Sequence, residues 1–122
     1  MKLLRCAVCG KIILPVKETA AETICCGQPM RELTPNTTDG AQEKHVPVST
    51  IEGPTVQVAV GSAAHPMLPA HFIEWIALET STGYHCRHLV PGDAPHATFT
   101  LAPQETAKAV YAYCNLHGLW KS

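Results

Sequence analysis

Hydrophobic positions in the second half of the chain recur with the period of β-strands. Residues 56–60 read Val-Gln-Val-Ala-Val and residues 98–101 read Thr-Phe-Thr-Leu, which is the alternation of strands with one buried face. Residues 72–78 are apolar at every position except Glu74. A run of that kind is typical of a central strand that is covered on both sides. The pattern predicts an antiparallel sheet structure here.

The stretch 104–113 is ambiguous, because it is rich in alanine and fits a helix by propensity. We interpret residues 109–114 as a strand, since the other predicted strands need antiparallel partners. Ten prolines and eight glycines separate the apolar runs, which suits several short strands joined by turns. We therefore predict an all-β fold with no long helix.

A polar, turn-forming stretch at residues 34–42 divides the chain. We predict a small N-terminal domain at residues 1–36 and a larger β-sandwich domain at residues 37–122. A segment of 36 residues is too short to bury an adequate apolar core, and a bound metal is the usual remedy at that size. The first domain is therefore expected to depend on a metal ion.

Cysteines and histidines are sorted along the chain. Four of the six cysteines lie in the first 26 residues, and all seven histidines lie from His45 onward. Thiolates favour iron or zinc in tetrahedral sites, whereas imidazoles suit a wider range of transition metals. The sorting predicts two different metal sites, one made of sulfur alone and one made mostly of nitrogen.

The sulfur site combines a Cys-x-x-Cys turn, Cys6 and Cys9, with the adjacent pair Cys25 and Cys26. Side chains of neighbouring residues in a regular strand point to opposite faces, so the adjacent pair must leave strand geometry to share an ion. Gly10 and Gly27, which supply flexible neighbours, make this feasible. Spacing alone leaves iron and zinc open, and it leaves a structural zinc knot or a Cys25–Cys26 disulfide as alternatives.

The nitrogen-rich site has candidates on several separate segments. His65 and His71 bracket two prolines in a predicted loop, and Cys114 and His117 have the two-residue gap that lets both bind one ion. His45 stands at the entry to the sandwich. We predict that the remaining candidates are not ligands. His85 and His88 are interpreted as solvated residues, His96 as a loop histidine and Cys86 as a free thiol.

Charge and leader signals exclude several classes of protein. The net charge is −1, with five Lys/Arg against three Glu in residues 1–36 and four against seven acidic residues in 37–122. Neither half has the basic face of a nucleic-acid binder. No apolar run is long enough for a membrane span, and the first residues do not resemble a secretory leader. We expect a cytoplasmic, reducing compartment and no nucleic-acid or membrane partner.

Several motifs together resemble desulfoferrodoxin, the two-iron form of superoxide reductase, over almost the whole chain. The matching segments are CAVCG, TICCGQPM, EKHVPV, VGSAAHPM, HFIEWIAL, PGDAP and YCNLHGLW. The resemblance implies a desulforedoxin-like N-terminal domain, an immunoglobulin-like antiparallel β-sandwich and a homodimer. It also implies superoxide reductase activity, in which superoxide is reduced by one electron to hydrogen peroxide with a rubredoxin-like electron donor.

The resemblance also implies ligands for two iron ions. A rubredoxin-like iron would be held by Cys6, Cys9, Cys25 and Cys26, with zinc as the alternative metal there. A second, ferrous iron would have four equatorial imidazoles and one axial thiolate, and these ligands would be His45, His65, His71, His117 and Cys114. The position opposite the sulfur would be open to the substrate.

Two residues just before His45 are candidate catalytic groups. By resemblance, Lys44 would attract superoxide and order a proton-delivering water, while Glu43 would bind the oxidised iron. Many relatives carry charged residues between the two loop histidines, whereas this chain has Met-Leu-Pro-Ala at 67–70. We therefore expect an intact site whose rate depends less on ionic strength than the rates of those relatives. The alternatives are a non-catalytic iron electron-transfer protein and a binding module with structural zinc.

Overall fold

The structure, a computed structural model, describes residues 1–122 and divides into two compact units. The N-terminal unit comprises residues 1–34, and the C-terminal unit comprises residues 35–122.

The N-terminal unit consists of short strands and turns. Its strands have two residues each and are β1 (Leu4–Arg5), β2 (Ile12–Ile13), β3 (Ile24–Cys25), β4 (Gln28–Pro29) and β5 (Arg31–Glu32). They form a sheet in the order β2-β1-β5 and a separate β3-β4 hairpin. Only Leu3 and Cys6 are buried hydrophobic residues in this unit. So small an apolar core contributes little to the stability of the unit.

The C-terminal unit is an antiparallel β-sandwich preceded by one helical turn. Its elements are α1 (Gln42–His45), β6 (Pro47–Glu52), β7 (Thr55–Val60), β8 (Ile73–Thr80), β9 (Tyr84–His88), β10 (His96–Thr100), β11 (Ala107–Cys114) and β12 (Gly118–Lys121). One sheet has the order β10-β7-β6 and the other has the order β12-β11-β8-β9. The predicted all-β fold is confirmed. No helix is long and apolar enough to cross a lipid bilayer.

The core of the sandwich lies between the two sheets. Val56, Val58 and Val60 on β7 are fully buried, whereas the residues between them are exposed, as the alternating pattern predicts. Strand β8 is an inner strand and pairs with both β11 and β9. The alanine-rich stretch is strand β11, so the strand interpretation is confirmed and the helical one is wrong. Pairing with β8 outweighs helix propensity.

Two predicted roles outside the metal sites need correction. His85 is not simply solvated, because its Nε2 lies 3.2 Å from Glu105 Oε1 and its side chain is 34% exposed. His96 is not in a loop, because it is the first residue of β10 and pairs with Ala59. His88 is exposed and Cys86 is an exposed free thiol, as predicted.

Asn36 ties the start of the C-terminal unit to the edge strand β12. Its Oδ1 accepts a hydrogen bond from the Lys121 backbone N–H at 2.8 Å, and its Nδ2 donates to the Lys121 carbonyl at 3.0 Å. The backbone of Asn36 is left-handed, with φ 61°, a conformation that asparagine tolerates better than most residues. The predicted linker is therefore ordered at this point.

Candidate metal centres

The four-cysteine site begins in a tight turn of the N-terminal unit. Cys6 follows β1 directly, and the Gly10 N–H donates to the Cys6 carbonyl at 3.0 Å while the Cys6 N–H donates to the Lys11 carbonyl at 2.9 Å. The Cys9 N–H points at the Cys6 sulfur, 3.5 Å away. These bonds fold the turn so that both of its thiols face one point.

The adjacent cysteines leave strand geometry, as predicted. Strand β3 ends at Cys25, and Cys26 adopts a left-handed backbone with φ 51°, followed by Gly27 with φ 73°. A left-handed conformation costs a residue with a Cβ about 1–2 kcal/mol. This conformation brings the Cys26 sulfur within 4.0 Å of the Cys25 sulfur, which is too far for the S–S bond of about 2.05 Å in a vicinal disulfide.

The sulfur separations fit one tetrahedral ion. All four sulfurs lie within 4.8 Å of one another, and those of Cys9 and Cys25 are 3.7 Å apart. Four ligands at a metal–sulfur distance of about 2.3 Å would place neighbouring sulfurs about 3.8 Å apart in a tetrahedron. The side chain of Cys6 is buried, whereas Cys9 and Cys26 are exposed.

The protonation properties of these thiols also favour a cation. Backbone N–H groups of Cys9 and Val8 lower the pKa of Cys6 to about 6. Contacts with the sulfurs of Cys6 and Cys9 raise the pKa of Cys25 to about 12. Four thiolates this close repel one another, and a bound cation removes that repulsion. The site therefore suits a divalent or trivalent metal with a preference for sulfur.

The second candidate site, the histidine–cysteine site, is built by the C-terminal unit from separate segments. His45 is the last residue of α1, His65 and His71 lie in the loop between β7 and β8, and Cys114 ends β11. The donor atoms of these four residues lie within 4.8 Å of one another. His117, in the turn before β12, places Nδ1 3.0 Å from His45 Nε2 and 3.7 Å from the Cys114 sulfur.

Ring orientation leaves a set of nitrogen lone pairs facing one point. Nδ1 of His45 lies 2.7 Å from the Ala41 carbonyl, and Nδ1 of His65 lies 2.7 Å from the Pro66 carbonyl. Because a carbonyl only accepts, these contacts fix the tautomer with the proton on Nδ1 and a lone pair on Nε2. Backbone carbonyls orient metal-binding histidines in this way.

Two of these ring nitrogens have no hydrogen-bond partner, which favours a metal site over a hydrogen-bonded histidine cluster. Nε2 of His65 and Nε2 of His71 are buried and have no hydrogen-bond partner. Buried polar atoms without partners are rare and costly in proteins. Adjacent nitrogens about 2.1 Å from one ion would be about 3.0 Å apart, which is the separation of the His45 and His117 nitrogens. The residues present therefore fit a metal with four imidazoles and one thiolate.

The surroundings keep the ligands in the protonation states that metal binding needs, with one exception. Burial lowers the pKa of His45 and His71 and lowers that of His65 to about 4, so the rings are neutral at pH 7. Burial raises the pKa of Cys114, which the backbone N–H groups of Leu116 and His117 oppose. Metal binding must therefore displace the thiol proton.

Packing around His45 fixes the helical turn that carries it. The Trp120 indole stacks on the His45 ring with centroids 4.8 Å apart, and its Nε1 donates to the His117 carbonyl at 3.1 Å. A Cβ at Gly61 would lie 2.7 Å from the carbonyls of Glu43 and Lys44, so only glycine fits beside α1. Neither Trp120 nor Gly61 was singled out by the sequence analysis, because stacking and backbone approach leave no spacing signal.

Glu43 and Lys44 are exposed residues of α1. The Lys44 charge contributes to the lowered pKa of both His45 and His71, while Glu43 opposes the shift at His45. The two side chains therefore act electrostatically on the site from its solvent side. The uncharged segment 67–70 contains a tight turn in which Leu68 and His71 exchange backbone hydrogen bonds of 2.9 and 3.0 Å.

Comparison with known proteins agrees with this arrangement. The family model described as "Desulfoferrodoxin, N-terminal domain" matches residues 1–33, and the one described as "Desulfoferrodoxin" matches residues 37–122. The chain belongs to the desulfoferrodoxin family.

Individual relatives support the same assignment. A desulfoferrodoxin homolog of Archaeoglobus fulgidus is 46% identical over 122 residues, covering 100% of this chain and 96% of that protein. A desulfoferrodoxin of Syntrophotalea carbinolica is 45% identical, covering 100% and 95%. The crystal structure of a superoxide reductase from Treponema pallidum has a TM-score of 0.81 and 34% identity, covering 98% of each chain. The desulfoferrodoxin fold thus extends over both units.

Proposed function

We propose that this desulfoferrodoxin is a superoxide reductase that contains two iron ions. The observation that carries the proposal is the cluster of imidazoles next to one buried thiol, in which two buried ring nitrogens have no hydrogen-bond partner. A solved structure with a TM-score of 0.81 is named a superoxide reductase, which supports the same activity.

Each iron has a defined set of proposed ligands. The N-terminal iron would be held by Cys6, Cys9, Cys25 and Cys26, where zinc is the alternative. The catalytic iron would be held by His45, His65, His71, His117 and Cys114. Ferrous iron held by these residues would supply the single electron that, together with two protons, reduces superoxide to hydrogen peroxide.

The chain's own residues supply charge, orientation and proton delivery. Lys44 places a positive charge at the site entrance, where it attracts a small anion and orders water for proton transfer. Glu43 stands beside it as a candidate ligand for the oxidised iron. Backbone N–H groups at residues 116 and 117 reach the Cys114 sulfur and limit how much electron density the thiolate donates.

The turnover requires an external reductant, because each superoxide consumes one electron. A rubredoxin-like carrier in the cytoplasm is the proposed donor, and the proposed role is superoxide detoxification by a homodimer. The N-terminal iron would either relay these electrons or stabilise its unit.

The test combines metal analysis with anion binding. The purified protein should contain two irons per chain, and ferricyanide oxidation should produce a broad thiolate-to-iron band near the red end of the spectrum. Azide or cyanide should shift that band, and pulse radiolysis should show rapid consumption of superoxide without oxygen release. An iron site that no anion perturbs would indicate an electron-transfer protein instead. A colourless protein containing only zinc would indicate a structural module.

A further inference from the structure

The strand pairing that brings two of the proposed ligands together ends just before it reaches one of them. Strands β11 and β8 pair as far as Cys114 opposite Ile73, with a register shift between Tyr113 and Cys114. His71 lies two residues before Ile73, beyond the last paired position. The sheet alone therefore does not fix His71 relative to Cys114.

The side chain of Asn115 makes the missing connection. Its Oδ1 accepts a hydrogen bond from the Phe72 N–H at 2.9 Å, and its Nδ2 donates to the Ala70 carbonyl at 3.1 Å. The Asn115 backbone N–H also donates to the Phe72 carbonyl at 3.2 Å. These three bonds bracket His71 on both sides along the chain. Asn115 itself directly follows Cys114.

The turn that precedes His71 in the chain adds a second restraint. Leu68 and His71 exchange two backbone hydrogen bonds, and the Ile73 N–H lies 3.4 Å from the Met67 sulfur. The backbone at His71 is thus held from the turn and from Asn115 together. Its Nε2 nevertheless remains without a partner, so the restraint places an unsatisfied nitrogen beside the buried thiol.

We propose that Asn115 is a positioning residue that couples the loop of His71 to the strand end of Cys114, so that both donor atoms are placed before the metal arrives. Rigid support of this kind raises metal affinity, because fewer conformations are lost on binding. This inference rests on the proposed metal site. It adds a residue that would contact neither the iron nor superoxide.

A merely structural role for Asn115 makes a different prediction, and Asn36 offers the matched control. Asn36 also makes two side-chain hydrogen bonds to the backbone, both to Lys121, and it belongs to neither metal site. Asn36→Gly removes those bonds and keeps the left-handed backbone accessible. Asn115→Leu removes the equivalent pair of bonds and keeps the branched shape of the side chain.

The experiment uses the full chain loaded with ferrous iron and measures iron release to a ferrous chelator, together with the red-end band after oxidation. Asn115→Leu should release the iron of the histidine–cysteine site on the order of tenfold faster than the wild type and should shift the band. Asn36→Gly should release iron at the wild-type rate even if it lowers the unfolding temperature equally. The four-cysteine iron is an internal reference and should be unaffected in both.

Two outcomes would overturn the inference. One is equal iron release by Asn115→Leu and Asn36→Gly at matched stability, and the other is an unshifted band in Asn115→Leu. Should Asn115→Leu not fold, Asn115→Asp keeps the oxygen that accepts from Phe72 but replaces the donor to Ala70 with a charged oxygen that repels that carbonyl. Wild-type iron release by that variant would contradict the proposal. Iron release is independent of turnover, so failure here leaves superoxide reduction intact. A wild type without the red-end band would instead refute the proposed function.

Discussion

The two metal sites are supported in opposite ways. The four-cysteine site is formed by turns between strands of two residues, and two of its thiols are exposed. The histidine–cysteine site draws its ligands from four segments of a sandwich, and Cys114 belongs to the apolar core itself. In the first case the ion is expected to organise the polypeptide. In the second case the polypeptide itself holds the candidate ligands together.

Metal removal should affect the two units most differently. The N-terminal unit has two buried hydrophobic residues, and structural metal binding contributes about 10–16 kcal/mol in small zinc domains. We expect chelation in denaturant-free buffer to unfold residues 1–34 and leave the sandwich folded. In amide NMR spectra of the metal-free protein, the signals of residues 1–34 should lose their chemical-shift dispersion, whereas those of the sandwich should keep it. Retained dispersion of those signals would show that the turns are stable alone.

Substitution of one thiol in each site should separate their roles. Cys114→Ala removes the proposed thiolate ligand, so superoxide reduction and the red-end band should both be lost. Cys9→Ala, the matched control, should abolish the absorption of the ferric four-thiolate site and leave superoxide reduction when an excess of artificial reductant is supplied. Loss of activity in Cys9→Ala under those conditions would mean that the small site is part of catalysis.

Lys44 should affect the rate and not the metal content. Because its charge acts on the site from solvent, Lys44→Gln should lower the second-order rate with superoxide about tenfold at low salt. Glu43→Gln is the control and should not slow this encounter. Because segment 67–70 is uncharged, the wild-type rate should fall less steeply with added salt than the rate of relatives that carry charged residues there. Pulse radiolysis at several ionic strengths measures both effects, and a decline as steep as in those relatives would contradict the second.

Glu105 should contribute to the stability of the sandwich even when no metal is bound. The Thr80 hydroxyl, the Ala102 N–H and His85 lower the pKa of the Glu105 carboxyl to about 2. A lowered folded-state pKa stabilises the fold at pH values above the unfolded-state pKa of about 4.3, and this contribution is lost as the pH falls toward 2. Glu105→Gln should therefore unfold at lower temperature than the wild type at pH 7. The difference should narrow below pH 4, which calorimetry of the metal-free protein can follow.

The sequence was most informative where a local pattern determines the structure. Alternating valines at 56–60 define a strand with one buried face, and adjacent cysteines cannot share an ion in an extended backbone. Both expectations are confirmed, the second by the left-handed Cys26. The structure also brings together His45, His65, His71 and Cys114, which the motif resemblance selected, and places His117 next to His45 and Cys114.

Contacts that join distant segments were not predictable in this way. His85 bonds to Glu105, 20 residues away, and no periodicity indicates that pair. The bonds of Asn115 to residues 70 and 72 likewise depend on where β11 stops pairing with β8. The sequence shows that Asn115 follows the proposed ligand Cys114, but only the folded chain shows which carbonyl and which N–H it reaches.

The stacking of Trp120 on His45 provides an optical probe that needs no label. The chain has two tryptophans, and the other, Trp75, stacks on Tyr113 with ring centroids 5.5 Å apart. An iron bound by His45 would quench the emission of the indole in contact with that ring. Fluorescence of a Trp75→Phe variant would then follow loading of the buried centre alone, in real time and at micromolar protein.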